Sequence, residues 1–108
     1  MRGRELELLQ AAGEIEKLQR QVKFVLVPAQ YELLDAVYTK GKNKGQKKRG
    51  KLLEHEVAYY ADFVYINANG EKIVEDTKGF STKDYIIKRK LMLYVFGIRV
   101  HEIRGRTR

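Results

Sequence analysis

Tyr59-Tyr60-Ala61-Asp62-Phe63-Val64-Tyr65-Ile66-Asn67-Ala68-Asn69-Gly70-Glu71-Lys72-Ile73-Val74-Glu75-Asp76-Thr77-Lys78-Gly79 reads as two β-rich runs, Tyr59 to Asn67 and Lys72 to Lys78, joined through Asn69-Gly70. Aromatic and β-branched side chains suit a pleated, half-buried surface, and Asn-Gly accepts the positive φ of a tight turn. The spacing predicts a β-hairpin. Side chains alternate along a strand, so Asp76 and Lys78 share one face and Glu75 and Thr77 the other. Asp62 interrupts the first run, although aspartate is depleted inside strands.

These positions carry chemistry. A carboxylate and an ammonium two residues apart on one face let the carboxylate hold a divalent cation while the lysine lies beside a reacting phosphate. Asp62, on the partner strand, is placed to supply a second carboxylate. Mg²⁺ commonly takes one or two carboxylates from a protein and leaves its other positions to water and substrate phosphate. The plainer reading is an exposed ion pair on an edge strand, which contributes little to stability.

Before the hairpin, Arg4 to Ala12 consists of strong helix formers, with Leu8, Leu9 and Ala12 on one side, and Gly13 is a plausible stop that leaves Ile15 and Leu18 in the connection. Gln21 to Val27 is apolar and β-branched, ends at Pro28, and reads as a strand. Tyr31 to Tyr38 is open between strand and short helix. In Thr39 to Lys51 seven of thirteen residues are basic and three are glycine, so this segment is expected as an extended, flexible basic loop. Leu53 to Asn67 would be one long strand. After the hairpin, Ser81 or Thr82 can cap a helix from about Thr82 to Phe96, with Asp84 in its first turn, Ile87, Leu91 and Tyr94 as its inner row, and Gly97 as its stop. Ile98 to Ile103 is a final strand, and the basic tail 104–108 is expected to be disordered. The result is one α/β (α+β) domain over 1–108, in the order αβββαβ: a mixed sheet of about four strands with two main helices, because a strand-helix-strand crossover implies a parallel pair beside the hairpin.

The composition restricts the partners. Lysine plus arginine number 22 against 14 acidic residues, a formal net charge of +8 over 108 residues, which favours a polyanion, nucleic acid first and an anionic membrane surface second. No apolar run approaches the roughly 20 residues of a membrane span, and no signal-peptide core is evident, so a cytoplasmic protein is expected. With no cysteine and two isolated histidines, His55 and His101, thiol chemistry and a zinc site are excluded.

Asp62 with Glu75-Asp76-Thr77-Lys78-Gly79 resembles the PD-(D/E)XK nuclease signature. With the flanking Tyr60-Ala61-Asp62-Phe63-Val64-Tyr65 and Val74 to Phe80, the chain from Arg4 to Ile103 is similar to small phage and prophage endonucleases related to Holliday-junction resolvases. That resemblance implies a restriction-endonuclease-like core and a Mg²⁺- or Mn²⁺-dependent endodeoxyribonuclease acting on DNA, branched DNA such as Holliday junctions included. It also implies a role in DNA recombination, a homodimer making two coordinated cuts, and residence in the host cytoplasm if phage-encoded. Asp62 and Asp76 would hold the metal, the Thr77 backbone carbonyl would join its shell, and Lys78 would serve the attacking water. Glu75, on the other face by parity, would be a supporting residue. Relatives usually carry a further glutamate on the first helix; here Glu5, or else Glu7, stands nearest that position.

The basic residues complete the picture. Lys40, Lys42, Lys44, Lys47, Lys48, Arg49 and Lys51 of the basic segment, with Lys83, Lys88 and Lys90 of the second helix, are the expected DNA contacts. Tyr59, Tyr60 and Tyr65 read as sheet-packing aromatics, one of which, if exposed, could stack on an unpaired base. A non-catalytic nucleic-acid-binding protein, or one associated with RNA, would explain the charge equally well. It would not explain two carboxylates in an otherwise cationic protein, since without a metal they repel phosphate.

Overall fold

Eight elements follow one another along the chain: α1 (Arg2–Ala11), β1 (Glu16–Val27), β2 (Gln30–Val37), β3 (Lys47–Glu54), β4 (Val57–Ile66), β5 (Lys72–Lys78), α2 (Lys83–Phe96) and β6 (His101–Arg104). They are taken from a computed structural model that describes residues 1–78 and 82–104. The chain divides into two units, Val27–Val57 and the remainder. Among the described residues no helix is long and apolar enough to cross a membrane.

The larger unit holds a four-stranded mixed sheet in the order β1-β4-β5-β6. Its centre is the expected hairpin: β4 and β5 pair antiparallel from Ile66↔Lys72 to Phe63↔Glu75. The turn works through side-chain chemistry as well as Gly70, whose φ is 80°. Asn67 Oδ1 accepts from the N–H groups of Asn69 and Glu71 at 3.0 and 2.9 Å, which closes the loop locally. The crossover through α2 then sets β6 parallel to β5. Taken alone, this unit runs α1, β1, β4, β5, α2, β6, which is the αβββαβ order read from the sequence.

Each sheet face buries its own cluster. Tyr85 and Met92 of α2 pack with Phe24, Leu26, Tyr59, Ala61, Val64 and Val74, while Leu6 of α1 packs with Ile15, Phe63 and Tyr65. Tyr59, Ala61, Phe63 and Tyr65 share one parity along β4, yet the first two lie in the α2 cluster and the last two in the α1 cluster. The alternation therefore changes phase between Ala61 and Phe63, at Asp62, as at an irregularity that re-aims side chains.

Several sequence readings are corrected here. On α1 the inward residue is Leu6, wholly buried, whereas Leu8 is exposed. On α2 the inward pair is Tyr85 and Met92; Ile87 is 57% and Tyr94 88% exposed, and Leu91 is half-buried. Apolar residues occupy every position from Leu91 to Phe96, so periodicity alone could not choose a face. β1 begins at Glu16 rather than Gln21, taking Leu18 out of the connection, and Lys17 and Gln21 hold left-handed φ values of 57° and 52° within it. The long strand expected from Leu53 is two strands, broken at His55-Glu56. Part of the expected loop, Lys47 to Lys51, is strand, and the open choice for Tyr31 to Tyr38 falls to strand as well.

Thr82 caps α2, its hydroxyl accepting from the Tyr85 N–H at 3.1 Å, and Gly97 ends it at φ 70°. The alternative cap, Ser81, lies outside the described residues, as do Gly79, Phe80 and the tail beyond Arg104. Thr82→Ala should lower stability by about 0.5–2 kcal/mol in urea melts, and Thr82→Ser should restore it.

The smaller unit is an antiparallel pair of β2 with β3, registered Gln30↔Glu54, Tyr31↔Leu52, Leu33↔Arg49 and Val37↔Lys47 with irregularities between. Its tip is closed by the Tyr38 N–H on the Gln46 carbonyl and by the Gly45 N–H on the Tyr38 carbonyl, both at 2.9 Å.

Candidate functional site

The β4–β5 ladder stops at Phe63↔Glu75 although both strands continue. Beyond it, the Thr77 N–H donates to Asp62 Oδ2 at 2.9 Å and the Thr77 hydroxyl to the same oxygen at 2.8 Å. A side chain has taken the place of the next ladder bond. Asp62 Oδ1 accepts from the Gln21 amide at 3.2 Å, which brings β1 to the same point. Gln21 is one of the two non-glycine residues with positive φ among those described, a conformation that costs energy and clusters at functional sites.

Asp76 is 2% exposed, and its Oδ2 accepts from the Tyr59 hydroxyl at 2.8 Å. Its carboxyl lies close enough to that of Asp62 to help lower the Asp62 ionisation range. Burial opposes ionisation of Asp62, but Asp76 and the bonds from the Thr77 N–H and hydroxyl and from Gln21 outweigh it and hold this carboxyl below its usual range. Two neighbouring carboxyls are held together either by a shared proton or by a divalent cation. Burial, then the bond to Asp76, pushes the Tyr59 hydroxyl far up, so Tyr59 stays a donor at any physiological pH.

The structure thus brings Asp62 and Asp76 together, and Thr77 with them. The N–H and hydroxyl of Thr77 are both spent on Asp62, and its backbone carbonyl is the atom that the nuclease resemblance assigns to a metal. Two carboxyls and a backbone carbonyl fit Mg²⁺ or Mn²⁺, which take hard oxygen donors and keep water and phosphate in the remaining positions. Among the described residues no group of three or more His, Asp or Glu side chains gathers to hold a metal. Lys78 closes β5 at the register of Arg104.

Glu75 does face the other way, as parity implies. It is 2% exposed, forked by Arg2 through Nε and Nη2 at 2.8 and 2.6 Å, and bonded by the Tyr65 hydroxyl. Burial resists its ionisation, yet Arg2 and Tyr65 bring it below the ordinary glutamate range, while burial and the bond to Glu75 push the Tyr65 hydroxyl up to about 12. Glu5 belongs to this Glu75 side: Arg2 Nη1 holds its carboxylate at 3.2 Å. Glu7 pairs with Arg20 at 2.9 Å. Neither first-helix glutamate joins the Asp62–Asp76 pair.

Beside Asp76 on β6, Glu102 accepts from Tyr85 at 2.8 Å and from Arg89 at 2.9 Å. Half-buried Lys88 lines a hollow of about 270 Å³ with Tyr59, Tyr60 and Tyr85, whereas Lys90 lines a separate one of about 530 Å³ with Arg89 and Arg99. Lys83 is exposed, as are the seven cations from Lys40 to Lys51. Of the three tyrosines read as packing residues, Tyr59 and Tyr65 are buried and bond a carboxylate each, and Tyr60 is exposed. His101 is exposed in register with Glu75, and His55 is exposed between β3 and β4.

Tyr59, Gln21 and Arg2 escaped the sequence reading as parts of these networks. A signal existed for Arg2 alone, a cation in the first turn of a helix, where the macrodipole disfavours it. Tyr59→Phe removes the hydroxyl that orients Asp76 while keeping the ring. If the carboxyl pair holds a divalent cation, Mn²⁺ affinity measured by calorimetry should fall about 10- to 100-fold, the usual cost of an outer partner, and because Asp76 is 2% exposed the loss of its donor should also lower stability by about 1–3 kcal/mol.

A four-stranded mixed sheet with a helix packed on each face, opened at one strand pair around two carboxyls, defines an α+β protein with a carboxylate centre. The chain belongs to the DUF1064 family, described as a protein of unknown function, which it matches over residues 2–106. No curated protein and no solved structure matches it.

Proposed function

We propose that this protein is a metal-dependent endodeoxyribonuclease acting on branched DNA, built on a restriction-endonuclease-like core. The observation that carries the reading is the meeting of Asp62 and Asp76 at the opening of β4 and β5 in a chain of net charge +8. Facing DNA, two bare carboxylates would repel phosphate; neutralised by Mg²⁺ or Mn²⁺, they attract it.

Asp62, Asp76 and the Thr77 carbonyl would hold the ion. When bound, it supplies a water of lowered pKa and neutralises charge developing on the phosphate. Thr77 and Gln21 fix Asp62, and Tyr59 fixes Asp76, so the carboxylates need no reorganisation. Lys78, two residues after Asp76, is assigned the task of orienting or deprotonating the attacking water and steadying the charge. Lys88, lining the hollow beside Tyr59, is the cation of α2 best placed for a flanking phosphate. Coordinated cuts on a four-way junction would require a second copy related by a two-fold axis.

The test compares wild type and Asp76→Asn on a labelled four-way junction, a matched linear duplex and single-stranded DNA, in Mg²⁺, Mn²⁺ or EDTA. Cutting that needs metal, is lost in Asp76→Asn and is strongest on the junction is the expected result. No cutting with either metal, together with tight salt-sensitive binding that Asp76→Asn leaves intact or strengthens, would replace the enzyme with a binding protein.

A further inference from the structure

The unit Val27–Val57 is unlike the rest of the chain: none of its residues is buried. A two-stranded hairpin without a packed face is marginal in water. A solubilising tail would not need paired strands, and the two strands here are eight residues each and closed at the tip by backbone hydrogen bonds.

Its charges are sorted by position. Lys40, Lys42, Lys44, Lys47 and Lys48 lie at or near the tip beyond Val37↔Lys47, with Asp35 the one acidic residue close to them, whereas Glu32, Glu54 and Glu56 lie toward the end where Gln30 pairs with Glu54. Two further features prepare the ribbon for an anion. Lys48 Nζ lies 5.9 Å from the centre of the Tyr38 ring and the Arg49 guanidinium 4.6 Å from that of Tyr31, which orders two flexible cations. The register slips between Gln30 and Tyr31, Tyr31 and Leu33, and Leu33 and Val37, and irregularities of this kind increase the twist of a ribbon.

We infer that the β2–β3 ribbon enters the major groove of double-helical DNA, its tip lysines meeting the phosphates on either side. The major groove of B-form DNA, about 12 Å wide, admits a two-stranded β-ribbon. The corresponding groove of A-form RNA is too deep and narrow for side chains to read. A single strand offers no groove. Duplex DNA is therefore the occupant that fits both the shape and the charge, and the ribbon holds it whether or not the carboxylate pair cuts it.

The experiment uses the full chain in EDTA, so that binding is read without cleavage. Fluorescence anisotropy follows a labelled DNA duplex of about 20 base pairs, two helical turns, the same sequence as duplex RNA and as single-stranded DNA, and vesicles of phosphatidylserine and phosphatidylcholine, each over a range of salt. Wild type should prefer duplex DNA. Changing Lys40, Lys42 and Lys44 together to serine should weaken duplex binding and reduce the slope of log K against log salt by about 0.9 for each phosphate no longer neutralised. The same three changed to arginine should keep the slope, which separates charge from folding. A serine variant with the wild-type slope on duplex DNA overturns the proposal, as does equal preference for duplex RNA or single strands, or binding to vesicles but not to duplex. A chain whose ribbon binds duplex DNA in this way but which cuts no substrate in Mg²⁺ or Mn²⁺ keeps this proposal and removes the nuclease reading.

Discussion

Arg2→Met should cost the protein about 3–5 kcal/mol, because it leaves the Glu75 carboxylate buried without its cation. Glu75 is 2% exposed, and both of its oxygens are engaged by Arg2. Burying a lone carboxylate costs more than a methionine side chain recovers by packing. In a domain of this size each kcal/mol lowers Tm by about 4–8 °C, so the loss is easily seen by calorimetry. Arg2→Met combined with Glu75→Leu should recover much of it, since replacing both members of a buried pair is often neutral. A single variant within about 1 kcal/mol of wild type would mean that water reaches Glu75.

The pH dependence follows from the direction of each shift. Glu75 is lowered in the folded state, so its contribution is full above the unfolded glutamate value of 4.5 and is lost as pH falls through the lower folded value. Tyr65 is raised from 10.0 to about 12, so its contribution is full below 10 and is lost as pH rises toward 12. Urea midpoints should therefore fall on the acid side below about 4.5 and on the alkaline side above 10. The acid limb should be much reduced in the doubly substituted protein.

The second large effect concerns the carboxylate pair. On the proposed reading, Asp62→Ala removes one of two charged metal donors and the group that holds Thr77, and metal-dependent cleavage should fall at least about a thousandfold, the several kcal/mol that a bound cation contributes to such a transition state. Stability should change by only about 1 kcal/mol, because the bonds from Thr77 and Gln21 to Asp62 lie where water can replace them. Asp76→Asn should be as damaging to cleavage. In EDTA both variants should bind DNA as tightly as wild type or more so, since each removes a negative charge from a surface meant for phosphate. Cleavage within about tenfold of wild type in both variants would remove the pair from the reaction. Loss of cleavage together with DNA binding in EDTA would point to a binding surface rather than a catalytic one.

Much of this protein is legible without coordinates. The alternating runs from Tyr59 to Lys78 around Asn69-Gly70 specify a hairpin because side-chain parity and turn chemistry are local properties. The Thr82 cap, the Gly97 stop and the opposite facing of Glu75 and Asp76 are local for the same reason. What required the folded chain were choices that local periodicity leaves degenerate and contacts between distant segments. Which face of α2 turns inward was settled by Tyr85 and Met92 packing with residues of β1, β4 and β5, a choice its apolar run leaves open. Arg2 meets Glu75 across 73 positions, and Gln21 meets Asp62 across 41, the latter through a backbone conformation no composition signals. The basic segment is the reverse case: its charge was plain, but pairing with β2 made Lys47 to Lys51 a strand, because backbone hydrogen bonds to a neighbour can order a segment that has no apolar face of its own. Residue types singled out Asp62 and Asp76; packing across the sheet brought the two together and supplied the groups that hold them there.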